Sequence, residues 1–401
     1  MKLEDIYEAQ ERISKVIHVT PMQRSFTFSN MSGNDIFLKN ENMQRTGSFK
    51  VRGAFNKICK LTQTNKPDVV VAASAGNHAQ GVAYAATQNG IKSFIVMPKT
   101  APIAKVKATE NYGATVVLEG DVYDDSFKAA EKLAKEKNGV LIPAFDDDDI
   151  IAGQGTIALE ILKEKPDIDI VIVPAGGGGL LAGIAFAIKQ INPRIKVVGV
   201  QAEKADAIVR SFKAGKVVEA KQSNTIADGI AVRRPGDKTV ELICNYVDEM
   251  VTVTEDEIAE AILLVLERSK MVVEPAGVCP LAAILSGRCD LKGQRVVAVL
   301  SGGNIDVGFI HKVVEKGLIT RGRQMKFNTL MLDKPGSLQD FATIVAECGA
   351  NIILVQHDRM RANLDLGEAI LHVACEVSGF EHGRELIRQL EQHGYKIFVE
   401  S

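Results

Sequence analysis

Short runs of β-branched residues that alternate with helix-like stretches constrain the fold more than any other feature of this sequence. Such runs, each followed by a stretch of helical character, occupy residues 69–72, 93–97, 115–118, 170–173, 197–200 and 296–300. Alternation of this kind predicts parallel sheets covered by helices on both faces. Because crossover connections are right-handed, the loops that follow the strands should gather at the carboxyl edge of each sheet. We therefore expect an α/β fold with its functional loops at that edge.

Composition narrows the class of protein. The chain has 401 residues, of which 46% are hydrophobic and 24% charged, which suits two or three globular domains. A formal net charge of -2 favours neither nucleic acid nor an anionic membrane as a partner. The start MKLEDI has no apolar signal core, and no apolar run approaches the roughly 20 residues that span a bilayer. Six scattered cysteines without a CxxC pair argue for a reducing compartment and against a zinc site. We expect a cytoplasmic protein.

Lys50 is the candidate reactive group. It lies in the motif TGSFKVRG at residues 46–53, where an apolar helix begins. An ammonium placed between an aromatic residue and small residues is partly desolvated, which lowers its pKa and frees the amine to form a Schiff base. The alternative interpretation is an ordinary surface lysine at a helix start.

A run of four glycines follows the strand predicted at residues 170–173 and opens the next helix. The run and its next residue are Gly176, Gly177, Gly178, Gly179 and Leu180. Backbone N–H groups in such a loop can converge on a phosphate, helped by the positive end of the helix. The spacing from Gly177 to Ala182 also fits a dinucleotide fingerprint, with Glu203 placed as a ribose-binding acid. A nicotinamide-dependent oxidoreductase therefore stays open.

Two more loops follow predicted strands. The motif SAGNH at residues 74–78 precedes a helix, so Ser74 and free backbone N–H groups there form a seat suited to a carboxylate. A simple helix cap is the alternative. The motif SGGN at residues 301–304 places Ser301 at the end of its strand, where a serine that satisfies only the local backbone is the alternative. The acidic run at residues 146–149 is interpreted as a solvated loop rather than a metal site.

The motifs TGSFK, GGGGL and SGGN together resemble the fold type II pyridoxal-phosphate (PLP) enzymes of the tryptophan-synthase β type. Within that group the chain resembles the threonine dehydratases over residues 7–320. The resemblance implies two parallel-sheet α/β domains in a catalytic region of residues 1–320, with the small one, about 43–144, inserted in the large one. It also implies β-elimination and deamination of L-threonine to 2-oxobutanoate and ammonia, with L-serine as a side substrate. A serine racemase/dehydratase and a β-replacement enzyme remain as alternatives.

The resemblance implies a role for each site residue. Lys50 would carry PLP, Phe49 would pack on its ring, and Asn77 would contact its phenolic oxygen. The four glycines and Leu180 would hold the phosphate, and Ser301 would bond the pyridine nitrogen. The substrate would be held by Ser74, Ala75, Gly76, Asn77, His78 and Gly229.

Three positions bear on the reaction type. Ser301 offers the pyridine nitrogen a neutral hydroxyl, which favours elimination over transamination. Ala75 stands where racemases of this fold carry a second serine as acid–base, so racemisation should be at most a side activity. Gln201 and Ala207 stand where those racemases have acidic residues near a cation. No divalent metal is expected, although a monovalent ion bound by carbonyls stays open.

The sequence changes character at residues 321–326, a polar and basic stretch that we interpret as a linker. Residues 327–401 then predict a βαββαβ unit, with strands at 327–332, 351–357, 369–377 and 395–400 and helices at 337–347 and 380–393. The motifs DKPGSL at 333–338 and GANI at 349–352 resemble the amino-acid-sensing ACT domain. This implies isoleucine or valine as an effector, bound near Gly336, Ser337, Leu338 and Asn351.

Two alternatives remain open for this tail. It could be a ferredoxin-like dimerisation module, or the whole chain could be a non-catalytic amino-acid sensor built around it. A single unit of this kind leaves sheet edges exposed, which favours pairing in a homodimer or homotetramer.

Overall fold

The computed structural model describes residues 1–221, 223–359 and 367–399. The chain divides into two compact units, Met1–Asp306 and Val307–Ser401. The first contains two sheets built mainly from parallel strands, and the second contains one antiparallel sheet. The predicted fold class is therefore confirmed. Within the described ranges, no helix combines the length and the apolar character that crossing a membrane requires.

Ten strands of the first unit form two sheets. The strands are β1 (Met22–Arg24), β2 (Asp35–Asn40), β3 (Val69–Ala73), β4 (Lys92–Met97), β5 (Thr115–Leu118), β6 (Val140–Leu141), β7 (Ile170–Pro174), β8 (Lys196–Ala202), β9 (Glu249–Val253) and β10 (Arg295–Leu300). The larger sheet has the order β1-β2-β10-β7-β8-β9, and the smaller has the order β5-β4-β3-β6. All neighbours are parallel except β1 and β2.

Helices cover these sheets. They are α1 (Leu3–Ile13), α2 (Phe26–Ser32), α3 (Lys50–Asn65), α4 (Asn77–Gln88), α5 (Ile103–Asn111), α6 (Tyr123–Glu136), α7 (Asp148–Glu164), α8 (Gly179–Ile191), α9 (Ala207–Ala214), α10 (Asp237–Tyr246), α11 (Glu255–Leu264) and α12 (Pro275–Leu285). Every residue of β3 and β7 is buried. Strands buried on both faces need continuous runs of Val, Ile and Ala, and that explains the uninterrupted apolar runs in the sequence.

Three helices approach one another at the distance of backbone contact. A Cβ built on Gly153 in α7 would lie 2.6 Å from the Cα of Gly53 in α3. A Cβ on Gly183 in α8 would collide with the carbonyl oxygen of Ile151 in α7. Only glycine fits at both positions, so α7 is held directly between the helix that begins with Lys50 and the helix that follows the glycine loop.

The second unit is a four-stranded antiparallel sheet with helices packed against it. Its elements are α13 (Val307–Thr320), β11 (Gln324–Leu332), α14 (Ser337–Glu347), β12 (Asn351–Asp358), β13 (Glu368–Glu376), α15 (Phe380–Gln392) and β14 (Ile397–Val399). The strand order is β12-β13-β11-β14, which gives the predicted βαββαβ arrangement. Strand β11 begins inside the stretch interpreted as a linker, because Gln324 already pairs with Glu376. Glu400, the predicted end of the last strand, lies outside the described residues.

Candidate active site

The loop that carries Lys50 is joined to the SGGN loop by backbone hydrogen bonds. The Phe49 N–H donates to the Ser301 carbonyl at 3.0 Å, and the Gly303 N–H donates to the Gly47 carbonyl at 2.8 Å. Gly47 has a φ of 73°, a left-handed conformation that suits glycine. These bonds place Lys50 at the carboxyl end of β10, beside Ser301.

Lys50 is partly buried at the first position of α3. Its Nζ donates to the Ala144 carbonyl at 3.0 Å and lies 5.3 Å from the centre of the Phe49 ring. Burial lowers the pKa of Lys50 to about 8, although the nearby charge of Glu274 raises it. A larger share of this lysine is therefore the neutral amine near physiological pH, as TGSFK predicts.

A buried cluster of charges fixes the first turn of α3. The Arg52 guanidinium donates to Glu41 at 2.8 Å and to Glu160 at 2.6 Å, and Lys39 contacts Glu160 at 2.6 Å. Burial alone would raise the pKa of Glu41, but the charges of Arg52 and Lys39 and the hydrogen bonds from Arg52 and Thr20 together outweigh it and hold that pKa below its usual value. Because Arg52 lies two positions after Lys50, the cluster ties the start of α3, where Lys50 lies, to β2 and α7.

The SAGNH loop contributes Ser74 to His78. Ser74 Oγ accepts from the Gly76 N–H at 3.1 Å, so this serine shapes the loop. His78 Nε2–H donates to the Ile142 carbonyl at 3.0 Å. Burial, reinforced by the Lys50 charge, lowers the pKa of His78 to about 3, so its ring is neutral at physiological pH. Ala75 is partly buried and packs against the core beside the smaller sheet.

The glycine loop leaves several backbone N–H groups available. The first hydrogen bond of α8 runs from the Ala182 N–H to the Gly178 carbonyl at 2.8 Å. The N–H groups of Gly179, Leu180 and Leu181 precede it and have no acceptor within the helix. A Cβ on Gly177 would collide with the Phe145 ring. The loop therefore has the free donors and the lack of side chains that a phosphate seat requires.

The acidic run at residues 146–149 supports this loop. Asp146 accepts from the N–H groups of Asp237 and Thr239, both at 3.1 Å, at the start of α10. Thr239 Oγ1 in turn donates to the Gly177 carbonyl at 2.7 Å. Asp147 caps α7, and Asp149 pairs with lysines of α3. The run is thus used in helix caps and ion pairs, and the described part of the chain contains no group of three or more His, Cys, Asp or Glu residues arranged to hold a metal.

Gly229 lies in a short 3₁₀ turn, Asp228–Ile230, next to the glycine loop. A Cβ on Gly176 would lie 3.0 Å from the Cα of Ile230. Lys105 in α5 contacts Asp228 at 2.7 Å, which links a helix over the smaller sheet to this turn. The structure therefore brings the predicted substrate segment close to the predicted phosphate seat.

Two residues of the site were not predicted to have a role. Glu274, which is buried, accepts from Asn77 Nδ2 at 2.8 Å. Asn304 Nδ2 donates to Asn77 Oδ1 at 2.8 Å and to the Thr46 carbonyl at 2.7 Å. Burial raises the pKa of Glu274 to about 7, against the lowering effect of the Asn77 hydrogen bond. An acidic residue before Pro275 indicates only a helix start, so the sequence contains no local signal for this contact.

This arrangement fits a cofactor that carries a phosphate and an aldehyde. The glycine loop offers free N–H groups to the phosphate, and Lys50 offers a partly neutral amine to the aldehyde. Beside Lys50, Thr46 Oγ1 and Ser48 Oγ are buried without a hydrogen-bond partner among the described residues. Polar atoms of this kind suit a site that binds a polar group.

Comparison with protein families and relatives supports the same chemistry. A family model described as pyridoxal-phosphate dependent enzyme matches residues 13–302. An L-threonine ammonia-lyase of Thermotoga maritima is 46% identical over 397 residues, which is 99% of this chain and 99% of that protein. The catabolic L-threonine dehydratase of Escherichia coli is 47% identical over 313 residues, which is 78% of this chain and 95% of that protein.

Solved structures give a similar result. The processed form of threonine deaminase isoform 2 from Solanum lycopersicum has a TM-score of 0.74 at 35% identity, and the match covers 79% of this chain and 89% of that one. A serine racemase from maize has a TM-score of 0.75 at 36% identity, and the match covers 80% of this chain and 98% of that one. The fold is thus shared by lyases and racemases.

Proposed function

Because the chain belongs to the pyridoxal-phosphate dependent enzyme family, we propose that it is an L-threonine ammonia-lyase. It converts L-threonine to 2-oxobutanoate and ammonia by β-elimination, and it accepts L-serine as a side substrate. The observation that carries the proposal is the lowered pKa of Lys50, together with the backbone hydrogen bond that joins its loop to Ser301; both support a reactive amine at this position.

The chain offers each part of PLP a partner. Lys50 would carry the cofactor and Phe49 would pack on its ring, while Asn77 and Ser301 would bond the phenolic oxygen and the pyridine nitrogen. The backbone of Gly176, Gly177, Gly178, Gly179 and Leu180 would hold the phosphate. When bound, PLP supplies an electron sink for the electron pair left when the Cα–H bond breaks.

The residues around Lys50 define what the protein contributes. The Lys50 amine, once the amino group of the substrate has taken its place on the cofactor, would remove the α-proton of the substrate, for which a pKa of about 8 is well suited. Ser74, Gly76 and the first N–H groups of α4 seat the substrate carboxylate, with His78 as a neutral neighbour. The turn that contains Gly229 closes over the substrate side chain.

Two alternatives are less well supported. Racemisation needs a second acid–base on the opposite face of the substrate, and Ala75 has no proton to transfer. A β-replacement enzyme would need a second substrate, and nothing in the described site favours one. The dinucleotide interpretation of the glycine loop was wrong, because the family that matches this region uses pyridoxal phosphate.

The test is an assay of the full-length protein with L-threonine and with L-serine. We expect 2-oxobutanoate and ammonia from L-threonine, and a visible absorption band from the bound cofactor. Lys50→Ala should reduce turnover by at least about 1,000-fold, because it removes the base. Borohydride reduction followed by peptide mapping should place the cofactor on Lys50. Lack of 2-oxobutanoate, or attachment to another lysine, would contradict the proposal.

We also propose a regulatory role for the second unit. Gly336 has a φ of 95° and caps α14. The Ser337 N–H already donates to the Lys334 carbonyl at 3.3 Å, so it is the N–H of Leu338 that opens the helix and suits a carboxylate. Asn351 is exposed at the start of the edge strand β12. We infer that isoleucine or valine binds here and that paired second units form a homodimer or homotetramer in the cytoplasm. The match to the E. coli relative covers 78% of this chain, whereas the match to the Thermotoga maritima relative covers 99% of it.

A further inference from the structure

The side chains of Asn304, Asn77 and Glu274 form one chain of hydrogen bonds across the site. It runs from the Thr46 carbonyl, at 2.7 Å from Asn304 Nδ2, to Glu274 Oε1, at 2.8 Å from Asn77 Nδ2. The central bond joins Asn304 Nδ2 to Asn77 Oδ1 at 2.8 Å. Glu274 also accepts a hydrogen bond from the backbone of Asn304. Both ends therefore belong to loops other than that of Asn77.

The donors and acceptors fix the direction of this chain. A backbone carbonyl only accepts and an amide nitrogen only donates, so the direction is fixed from the Thr46 end. Asn304 donates one N–H to the Thr46 carbonyl and the other to Asn77, so the oxygen of Asn77 must face Asn304. The nitrogen of Asn77 then faces Glu274 and uses one of its two N–H groups there. The second N–H of Asn77 is left for another acceptor.

The Glu274 end of this hydrogen-bond chain is also fixed by its surroundings. Glu274 is buried, and its own N–H donates to the Gly302 carbonyl at 2.9 Å. A Cβ on Gly302 would collide with Glu274 Oε1, so only a glycine there leaves room for the carboxylate. Two glycines of separate loops therefore accommodate this chain, because a Cβ on Gly47 would collide with Asn304 Oδ1.

We propose that Glu274 and Asn304 are positioning residues that hold the Asn77 side chain with an N–H, and not its oxygen, directed at the phenolic oxygen of the cofactor. The inference rests on the proposed function, which places Asn77 beside that oxygen. An amide turned the other way would present an acceptor to an acceptor and weaken cofactor binding. A donated N–H also stabilises negative charge on the phenolic oxygen.

Asn304→Asp is the sharpest test, because it keeps the shape of the side chain but replaces the donor with an acceptor. The full-length protein is freed of PLP and titrated with it, and the visible band of the bound cofactor is followed against pH. We expect the PLP dissociation constant to rise by about 10-fold or more. We expect the pH at which the band changes to rise by about one unit, since the phenolic oxygen loses a donor.

Asn42→Asp is the matched control. Asn42 lies against Gly303 of the same loop, and its Nδ2 donates to the Val272 carbonyl at 3.0 Å, but it does not bond to Asn77. Replacement of the Asn42 amide by a carboxylate should leave unchanged both the PLP dissociation constant and the pH at which the visible band changes. A spectrum and affinity of Asn304→Asp equal to those of Asn42→Asp would overturn the proposal.

Glu274 provides a second, independent pair of variants in case Asn304→Asp does not fold. Glu274→Ala removes the acceptor and should weaken PLP binding, whereas Glu274→Gln keeps one accepting oxygen and should fall between Glu274→Ala and the wild type. Equal PLP affinity in all three would also overturn the proposal. A wild-type protein that binds no PLP would refute the proposed function itself, and the positioning role with it.

Discussion

At the scale of single residues, the burial of Lys50 lowers the stability of the folded protein. Burial places its pKa near 8, below the ordinary value of 10.5, because the ammonium has lost part of its hydration. A cation whose pKa is depressed on folding destabilises the native state wherever the unfolded chain is protonated. That penalty is fully present below pH 8 and disappears as the pH rises through 10.5.

Replacement of Lys50 by an apolar residue should therefore stabilise the cofactor-free protein. We expect Lys50→Met to raise the free energy of unfolding by roughly 1–3 kcal/mol at pH 7, and the gain should shrink by pH 9.5. Urea unfolding at the two pH values measures this. Lys132→Met, at a position where the side chain is 75% exposed, is the control and should change little. An equal gain at both pH values would contradict the argument.

Ala75 is predicted to determine the stereochemical outcome. Because the proposed carboxylate seat consists of Ser74 and backbone N–H groups, Ala75→Ser should bind substrate almost normally. The new hydroxyl supplies a proton on the second face, so we expect D-serine to form from L-serine at a measurable rate. Chiral chromatography of the reaction mixture detects it. Wild-type protein that already racemises L-serine as fast as it deaminates it would show that Ala75 is not decisive.

At the scale of elements, the position of α3 depends on the charge cluster at its first turn. Arg52 is 1% exposed and bonds two acidic side chains, Glu41 and Glu160. Removal of one partner from a buried network leaves uncompensated charge, which is more costly than loss of a surface pair. The cluster therefore aligns the helix on which Lys50 lies.

Arg52→Met should destabilise the protein by about 3–5 kcal/mol, because it leaves Glu41 and Glu160 buried without their guanidinium partner. Arg234→Met is the matched control, since Arg234 is 54% exposed and pairs with Asp237 at 3.0 Å. The loss there should stay within about 1 kcal/mol. Urea titration measures both variants, and equal losses would show that the cluster is not a stabilising element.

Local patterns predicted the elements better than the contacts between them. The strand runs, the glycine loop and the tail were predictable because their signals lie within a few residues of each other. The bond between Asn77 and Glu274 spans 197 positions, and that between Asn77 and Asn304 spans 227. No periodicity or motif in the sequence predicts a contact over such a separation. The proposed roles of Glu274 and Asn304 could therefore be inferred only from the folded structure.

At the scale of the whole molecule, the two units divide the proposed tasks. The family match lies within the first unit, and the second unit has its own core around Phe327, Phe341 and Leu386. The edge strands β12 and β14 of the second unit expose Leu354 and Phe398. Exposed apolar edges of this kind favour association with another copy.

Truncation after Thr320 should separate these tasks. The shortened protein keeps the whole family-matched region and should retain deamination of L-threonine. In the full-length protein, isoleucine or valine should change half-saturation by L-threonine by roughly 5–150-fold, which corresponds to a coupling of about 1–3 kcal/mol. The truncated protein should lose this response. Calorimetry that detects binding of neither amino acid to the full-length protein would favour a dimerisation module.

The glycine contacts of α7 bear on how the active site deforms. At Gly153 and Gly183 the backbones of neighbouring helices touch directly, with no side chain at these two points that could change rotamer or compress. The distance between Lys50 and the glycine loop therefore depends on backbone contacts at two points of α7 and α8. We expect a larger residue at either glycine to separate Lys50 from the glycine loop, although neither glycine belongs to the loops of the site.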